Sequence, residues 1–216
     1  MYDYIFFDLD GTLTDPEVGI TTAVQYSLKK FGIEVEDRRT LIPFIGPPLY
    51  QSYMVYYGFD EQKALKAVEY YREYFSVIGL FENRVYDGAK ELLEKLVAMK
   101  KTLVVATSKP EEYTIRILEK FNLRKYFTFV AGATFDSSRV KKGDVIKYAL
   151  ENVGVSDVSK VVMIGDREHD VLGAKEHGIV SIGVTFGYGD LDELNRAGAT
   201  YIAQDFNEVL EIIKGR

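Results

Sequence analysis

The sequence predicts an α/β fold: a Rossmann-like parallel sheet with helices on both faces, carrying a small inserted all-helical segment. Three observations predict it. Apolar runs of strand length stand at residues 4–7, 103–106 and 161–164, and the first is apolar on both parities, as in a strand buried on both faces. From residue 82 onward such runs alternate with helical stretches, the pattern of a parallel sheet covered on both sides. Between residues 16 and 81 the helical period runs alone, so that segment is an insertion rather than part of the sheet.

The elements follow in order. The strand at 4–7 ends in Asp8-Leu9-Asp10-Gly11-Thr12. Pro16 suits a first helical residue behind Asp15 as N-cap, and Ala23, Val24, Ser27, Leu28 and Phe31 recur at helical spacing before Gly32. The prolines at 47 and 48 make 44–48 a loop. One long helix is expected over 60–79, with Ala64, Leu65, Val68, Tyr71, Phe75 and Ile78 inward. Past Tyr86-Asp87-Gly88 come a helix at 89–99, a strand at 103–106, a turn at Thr107-Ser108-Lys109-Pro110 and a helix to 121. A strand near 127–131, a helix at about 143–152 and strands at 161–164, 180–184 and 201–202 complete the pattern, with a helix ending near 178 and another closing the chain. The expected division is a core of 1–15 plus 82–216 and a helical insertion of 16–81. Eight of the sixteen tyrosines fall between residues 16 and 80, which suits either helical surfaces with wet edges or the lining of a substrate cleft.

Composition narrows the function. The chain has 216 residues, enough to bury a full core, and its 47% apolar and 28% charged residues exclude a disordered or fibrous chain. The charge sum, 27 − 33 = −6, opposes nucleic-acid polymers and anionic membranes as partners. The lack of cysteine excludes disulfide scaffolds, cysteine-based zinc sites and thiol nucleophiles. No basic and apolar leader opens the sequence, and no apolar run approaches the ~20 residues of a membrane helix. A cytoplasmic protein is expected.

In open α/β sheets, ligands bind beyond the carboxyl ends of the strands, and several polar residues here fall at such ends. Asp8 and Asp10, two apart on extended backbone, leave on the same side, where paired like charges call for a cation or a shared proton. Asp166 and Asp170 are four apart and stack on one face of a first helical turn. Four carboxylates at one sheet edge suit Mg²⁺, a hard cation that takes oxygen ligands. Thr107 and Ser108 stand at a strand-to-helix turn, where free N–H groups and hydroxyls bind anions. Lys141 and Lys142 precede a helix on the same side. His169 and His177, eight apart, lack zinc-site spacing and read as surface or helix-end residues, and no glycine-rich dinucleotide or Walker loop is present.

Taken in order, Asp8-Leu9-Asp10-Gly11-Thr12-Leu13, Thr107 after its strand, a lysine, and Gly165-Asp166-Arg167-Glu168-His169-Asp170 resemble the motifs of the haloacid dehalogenase superfamily of phosphohydrolases, along the whole chain. Gly46-Pro47-Pro48, Tyr86-x-Gly88 and Arg139-x-x-Lys142-x-x-Val145-Ile146 resemble its phosphoglycolate phosphatase branch and 5′-nucleotidase-like relatives. The third motif departs from the frequent Lys-Pro-x-Pro; its spacing to Val145-Ile146 favours Lys142, with Lys141 the alternative. The resemblance implies Asp8 as nucleophile and Asp10 as acid and base. It implies Mg²⁺ on Asp8, the Asp10 carbonyl and Asp166, and Thr107, Ser108 and Lys142 on the phosphoryl oxygens. Asp170 would orient a metal-bound water or Lys142, and the insertion, a helical cap, would close over the site about hinges near Asp15 and Phe81. The implied substrate is a small phosphomonoester, phosphoglycolate first and a nucleoside monophosphate second. Rival readings are a dehalogenase, which would lack Asp10; a phosphomutase; and a receiver-type signalling domain, which would be shorter and without the insertion.

Overall fold

The architecture is a computed structural model that describes residues 1–136 and 138–215. The chain runs through strands β1 (Tyr4–Phe7) and β2 (Thr14–Asp15), then helices α1 (Glu17–Lys29), α2 (Leu49–Tyr57) and α3 (Glu61–Phe75) and a short strand β3 (Arg84–Val85). There follow α4 (Ala89–Ala98), β4 (Thr102–Pro110), α5 (Glu111–Lys120), β5 (Phe129–Ala133), α6 (Lys142–Asn152) and β6 (Val161–Gly165). The last elements are α7 (Glu168–Glu176), β7 (Val180–Val184), α8 (Leu191–Ala197), β8 (Tyr201–Ala203) and α9 (Phe206–Lys214). Two compact units result, residues 1–15 with 85 onward and residues 16–84.

In the first unit six strands form one parallel sheet in the order β5-β4-β1-β6-β7-β8. β1 is central, which is why Ile5, Phe6 and Phe7 are all fully buried. Phe6 faces a core of Val104, Ala106, Val145, Ile146, Ala149, Met163 and Ala174 on the α6 and α7 side. Register places the site: Phe7 is paired with Val105 on β4 and with Ile164 on β6. The residues just beyond, Asp8, Ala106-Thr107 and Gly165-Asp166, therefore emerge side by side. Crossing order matters here, because β1 separates β4 from β6 and leaves a crevice at their shared carboxyl end.

In the second unit α1 packs on α3. The buried stripe of α3 is Ala64, Ala67, Tyr71 and Phe75, while Leu65 and Ile78 lie exposed. Ala67 takes the place expected of Leu65, since small side chains let two helices approach. The helix ends at Phe75: the Ser76 N–H and hydroxyl both donate to the Arg72 carbonyl, and the Val77 N–H then turns to the Tyr74 carbonyl in a tighter 3-10 pattern. Gly79–Phe81 is a separate 3-10 turn.

Three further departures have local causes. Asp15 does not cap α1; its carboxylate instead accepts a hydrogen bond from the Tyr188 hydroxyl. β5 begins two residues later than expected, after a 3-10 turn at Arg124–Tyr126. β4 runs on to Pro110, so Thr107 and Ser108 lie on extended chain and not at a helix start. The proline disfavours helical geometry at Lys109 and delays α5 to Glu111. Among the described residues no helix is long and apolar enough to cross a membrane.

Candidate active site

Asp8, the first residue past β1, is nearly buried and its backbone N–H donates to Ile164 O at 2.9 Å, holding it against β6. Lys142, at the start of α6, reaches back under the sheet edge. Its Nζ lies 2.8 Å from Asp8 Oδ1 and 2.7 Å from Asp170 Oδ1, and donates to the Ala106 carbonyl at 3.1 Å. Burial opposes its charge, but Asp170 and Asp8 more than offset that, and the ammonium is held above its ordinary range. Lys141 is exposed and stands outside the cluster.

Asp166 is completely buried behind β6. It accepts from the Tyr188 backbone N–H at 2.8 Å and from the Thr12 hydroxyl at 3.3 Å, so dipoles and not a lysine hold it. Burial, then the charges of Asp170 and Asp8, push its carboxyl well above the usual range. Asp170, in the first turn of α7, accepts from the Arg167 N–H at 3.2 Å; burial raises it to about 6 against the opposing pull of Lys142. The backbone is fitted closely around Asp166. Gly11 turns with φ +83°, and a Cβ there would stand 2.1 Å from Asp166 Oδ2. A Cβ on Gly187, in the loop after β7, would stand 2.3 Å from the Gly11 carbonyl and 2.4 Å from Asp166 Cβ.

Asp8, Asp166 and Asp170 each offer a carboxylate oxygen, and these lie within 4.8 Å of one another. Three hard oxygens with a single lysine among them fit a divalent cation. The Asp10 carboxylate is not in that cluster. It turns to Lys109, whose Nζ lies 2.5 Å from Asp10 Oδ2. Burial raises the Asp10 carboxyl above its ordinary value and Lys109 works against it. Thr107 is buried and its hydroxyl accepts from the Lys109 N–H at 3.3 Å; Ser108 beside it is half-buried. The arrangement therefore combines a carboxylate held by a lysine, a cation site beside it, and a second carboxylate raised toward its protonated form.

The haloacid dehalogenase-like hydrolase family matches residues 5–184. The chain belongs to that family. It is a hydrolase of phosphoric monoesters, with the aspartate cluster where such chemistry requires it. The hydrolase is 45% identical to a 5′-nucleotidase of Pseudomonas aeruginosa, over 99% of this chain and 96% of that one. It is 37% identical to the tyrosine-protein kinase PtkA of Mycobacterium tuberculosis, over 92% and 67%, and 28% identical to a phosphoglycolate phosphatase of Vibrio parahaemolyticus, over 97% and 95%. The crystal structure of a predicted phosphatase from Clostridium acetobutylicum superposes with a TM-score of 0.96 at 49% identity, with all of both chains covered.

Three residues of the hydrolase's site escape the sequence reading. Lys109 carries a faint signal: two residues beyond Thr107 on extended chain, it shares that side chain's direction. Thr12 lies inside the first motif but reads as a turn residue. Tyr188 contributes through its backbone N–H, which no side-chain motif reports, and only its flanking Gly187 and Gly189 hint at close packing. His169 is half-buried and held below its ordinary pKa by that burial, while His177 Nε2 donates to the Gly143 carbonyl at 2.8 Å at the end of α7. Neither histidine joins the cluster.

Proposed function

We propose that this hydrolase is a Mg²⁺-dependent phosphatase of nucleoside 5′-monophosphates that works through an aspartyl-phosphate on Asp8. The observation that carries the chemistry is the convergence of Asp8, Asp166, Asp170 and Lys142 at one sheet edge. The substrate class rests on the 5′-nucleotidase relative, 45% identical over nearly its full length. That outweighs phosphoglycolate, the substrate first implied by the motifs, whose named phosphatases are 28% and 30% identical. In this reading the helical segment of residues 16–81 is the cap.

Asp8 attacks phosphorus and the ester P–O bond breaks. Asp10 gives its proton to the departing ribose 5′-oxygen. It then takes a proton from the water that attacks the acyl-phosphate, which returns Asp8 and releases inorganic phosphate. Lys142, Thr107 and the Ser108 N–H hold the phosphoryl oxygens, where charge spreads as the transfer proceeds. Asp170 holds Lys142 in place through their ion pair. Bound by Asp8, Asp166 and the Asp10 carbonyl, Mg²⁺ would offset the repulsion between a carboxylate and an incoming phosphate. The test is a comparison of kcat/KM for nucleoside 5′-monophosphates, phosphoglycolate, sugar phosphates and a phosphotyrosyl peptide. Preference for a nucleotide by about a hundredfold is expected, equivalent to about 2.7 kcal/mol of transition-state discrimination. The same preference for phosphoglycolate overturns the nucleotide reading, and activity on the peptide alone overturns both.

A further inference from the structure

We infer that Lys109 is the positioning residue for Asp10 and that it leaves Oδ1 of Asp10 as the oxygen that transfers the proton. The inference rests on the reading of Asp10 as acid and base and adds to it the group that aims the carboxylate. Lys109 Nζ sits 2.5 Å from Asp10 Oδ2, with the lysine side chain 5% exposed and the aspartate 13%. The other oxygen, Oδ1, is buried and has no hydrogen-bond partner among the described residues. Buried carboxylate oxygens are ordinarily satisfied, so an unpartnered one beside a held one is informative. Holding Oδ2 fixes the rotation of the carboxylate and leaves Oδ1 free for a leaving-group oxygen or a water.

The two buried lysines pair with three of the four carboxylates, Asp8, Asp10 and Asp170. Lys142 is committed to Asp8, Asp170 and the Ala106 carbonyl, and Lys109 holds Asp10. Its own placement is set by the backbone. Pro110 keeps Lys109 extended, the pairing of β4 with β5 shifts register between Ala106 and Pro110, and the Lys109 N–H donates to the Thr107 hydroxyl. A lysine is costly to bury, and here its charge is directed at the one site carboxylate that lies outside the cation cluster.

An acid catalyst matters in proportion to how poor the leaving group is. 4-Nitrophenolate departs without a proton, whereas the 5′-oxygen of a nucleotide needs one. Since kcat/KM reports the steps up to the first phosphoryl transfer, the ratio of kcat/KM for a nucleoside 5′-monophosphate to that for 4-nitrophenyl phosphate isolates proton donation. Asp10→Asn should lower the nucleotide value by about 10²–10⁴-fold and the 4-nitrophenyl value by less than about tenfold. Lys109→Met should show the same selective loss, at least about tenfold in the ratio, and Lys109→Arg should recover most of it. Should Lys109→Met not fold, Lys109→Gln, which removes the charge and shortens the reach, is read by the same ratio. Equal losses on both substrates, or none, in the Lys109 variants while Asp10→Asn remains selective would overturn the role of Lys109 alone. An Asp10→Asn variant with no selectivity would overturn the acid reading and this inference with it.

Discussion

Replacing Lys142 by methionine removes the charge and keeps most of the volume, so its effect isolates the ion pairs at the site. The ammonium side chain is 4% exposed, against 11% for Asp8 and 2% for Asp170, at 2.8 and 2.7 Å. At an effective dielectric of about 20, opposite unit charges roughly 2.8 Å apart attract by about 6 kcal/mol. Desolvation offsets several kcal/mol of that per ion, and repulsion between Asp8 and Asp170 offsets more. Deleting the cation leaves buried carboxylates unpaired, until one takes up a proton. The expected loss in metal-free protein is about 3–5 kcal/mol, or roughly 6–20 °C in Tm for a chain of this size. Urea and thermal unfolding in EDTA near neutral pH measure it. Lys141→Met, at an exposed position, should stay within about 0.5 kcal/mol and retain turnover that Lys142→Met loses. A loss below about 1 kcal/mol at Lys142 would mean that the pairs contribute no more than surface contacts do. A greater loss of turnover at Lys141 would show that the phosphate lysine has been misplaced by one.

Asp8→Asn should abolish turnover, because an amide cannot form the acyl-phosphate; phosphate release with a nucleotide checks this, and near-native activity would refute covalent catalysis. Mg²⁺ should raise Tm much more at pH 7.5 than at pH 5. Burial raises Asp170 to about 6 and Asp166 well above the carboxylate range. In metal-free protein their contribution is therefore most favourable below about pH 4 and is lost as pH rises through about 6, while Mg²⁺ needs the ionised oxygens. An equal Mg²⁺ shift at both pH values would remove Asp166 from the metal site and Asp170 from its support. Gly187→Ala places a Cβ 2.3 Å from the Gly11 carbonyl and should cost about 1–3 kcal/mol while weakening Mg²⁺ binding by calorimetry; unchanged values for both would show that the loop yields freely.

The central strands were legible because burial on both faces leaves an uninterrupted apolar run: β1 and β7 fall on the residues that the sequence marks. Asp8 and Asp166 were legible because a carboxylate directly after a buried strand has no core role to play, and Asp10 and Asp170 because spacings of two and four carry them to the same side. The end of β4 was not. Thr107, Ser108 and Lys109 are polar, and a period-based reading closes the strand where apolarity stops, yet here hydrogen bonds and an ion pair bury the chain instead. Lys109 is the clearest loss, since a lysine beside a proline ordinarily reads as surface. In the helical unit the exchange of Leu65 for Ala67 on the buried face has the opposite cause: alanine carries little hydrophobic signal, and helix packing selects it for size.

Charge accounting ties these parts together. Asp8, Asp10, Asp166 and Asp170 would bring four negative charges to the sheet edge if all were ionised, and Lys109 and Lys142 return two positive ones. Each lysine is already committed, Lys109 to Asp10 and Lys142 to Asp8 and Asp170. Asp166 pairs with neither lysine and accepts instead from two dipoles, the Tyr188 N–H and the Thr12 hydroxyl. Such donors orient an anion without cancelling its charge, so the excess is concentrated where a divalent cation would balance it. A phosphate dianion approaching the metal-free cluster would meet net negative charge at close range, a repulsion that low effective dielectric makes severe. The same groups with a divalent cation present no net charge to it. Where that cation would sit therefore follows from which carboxylates the lysines reach.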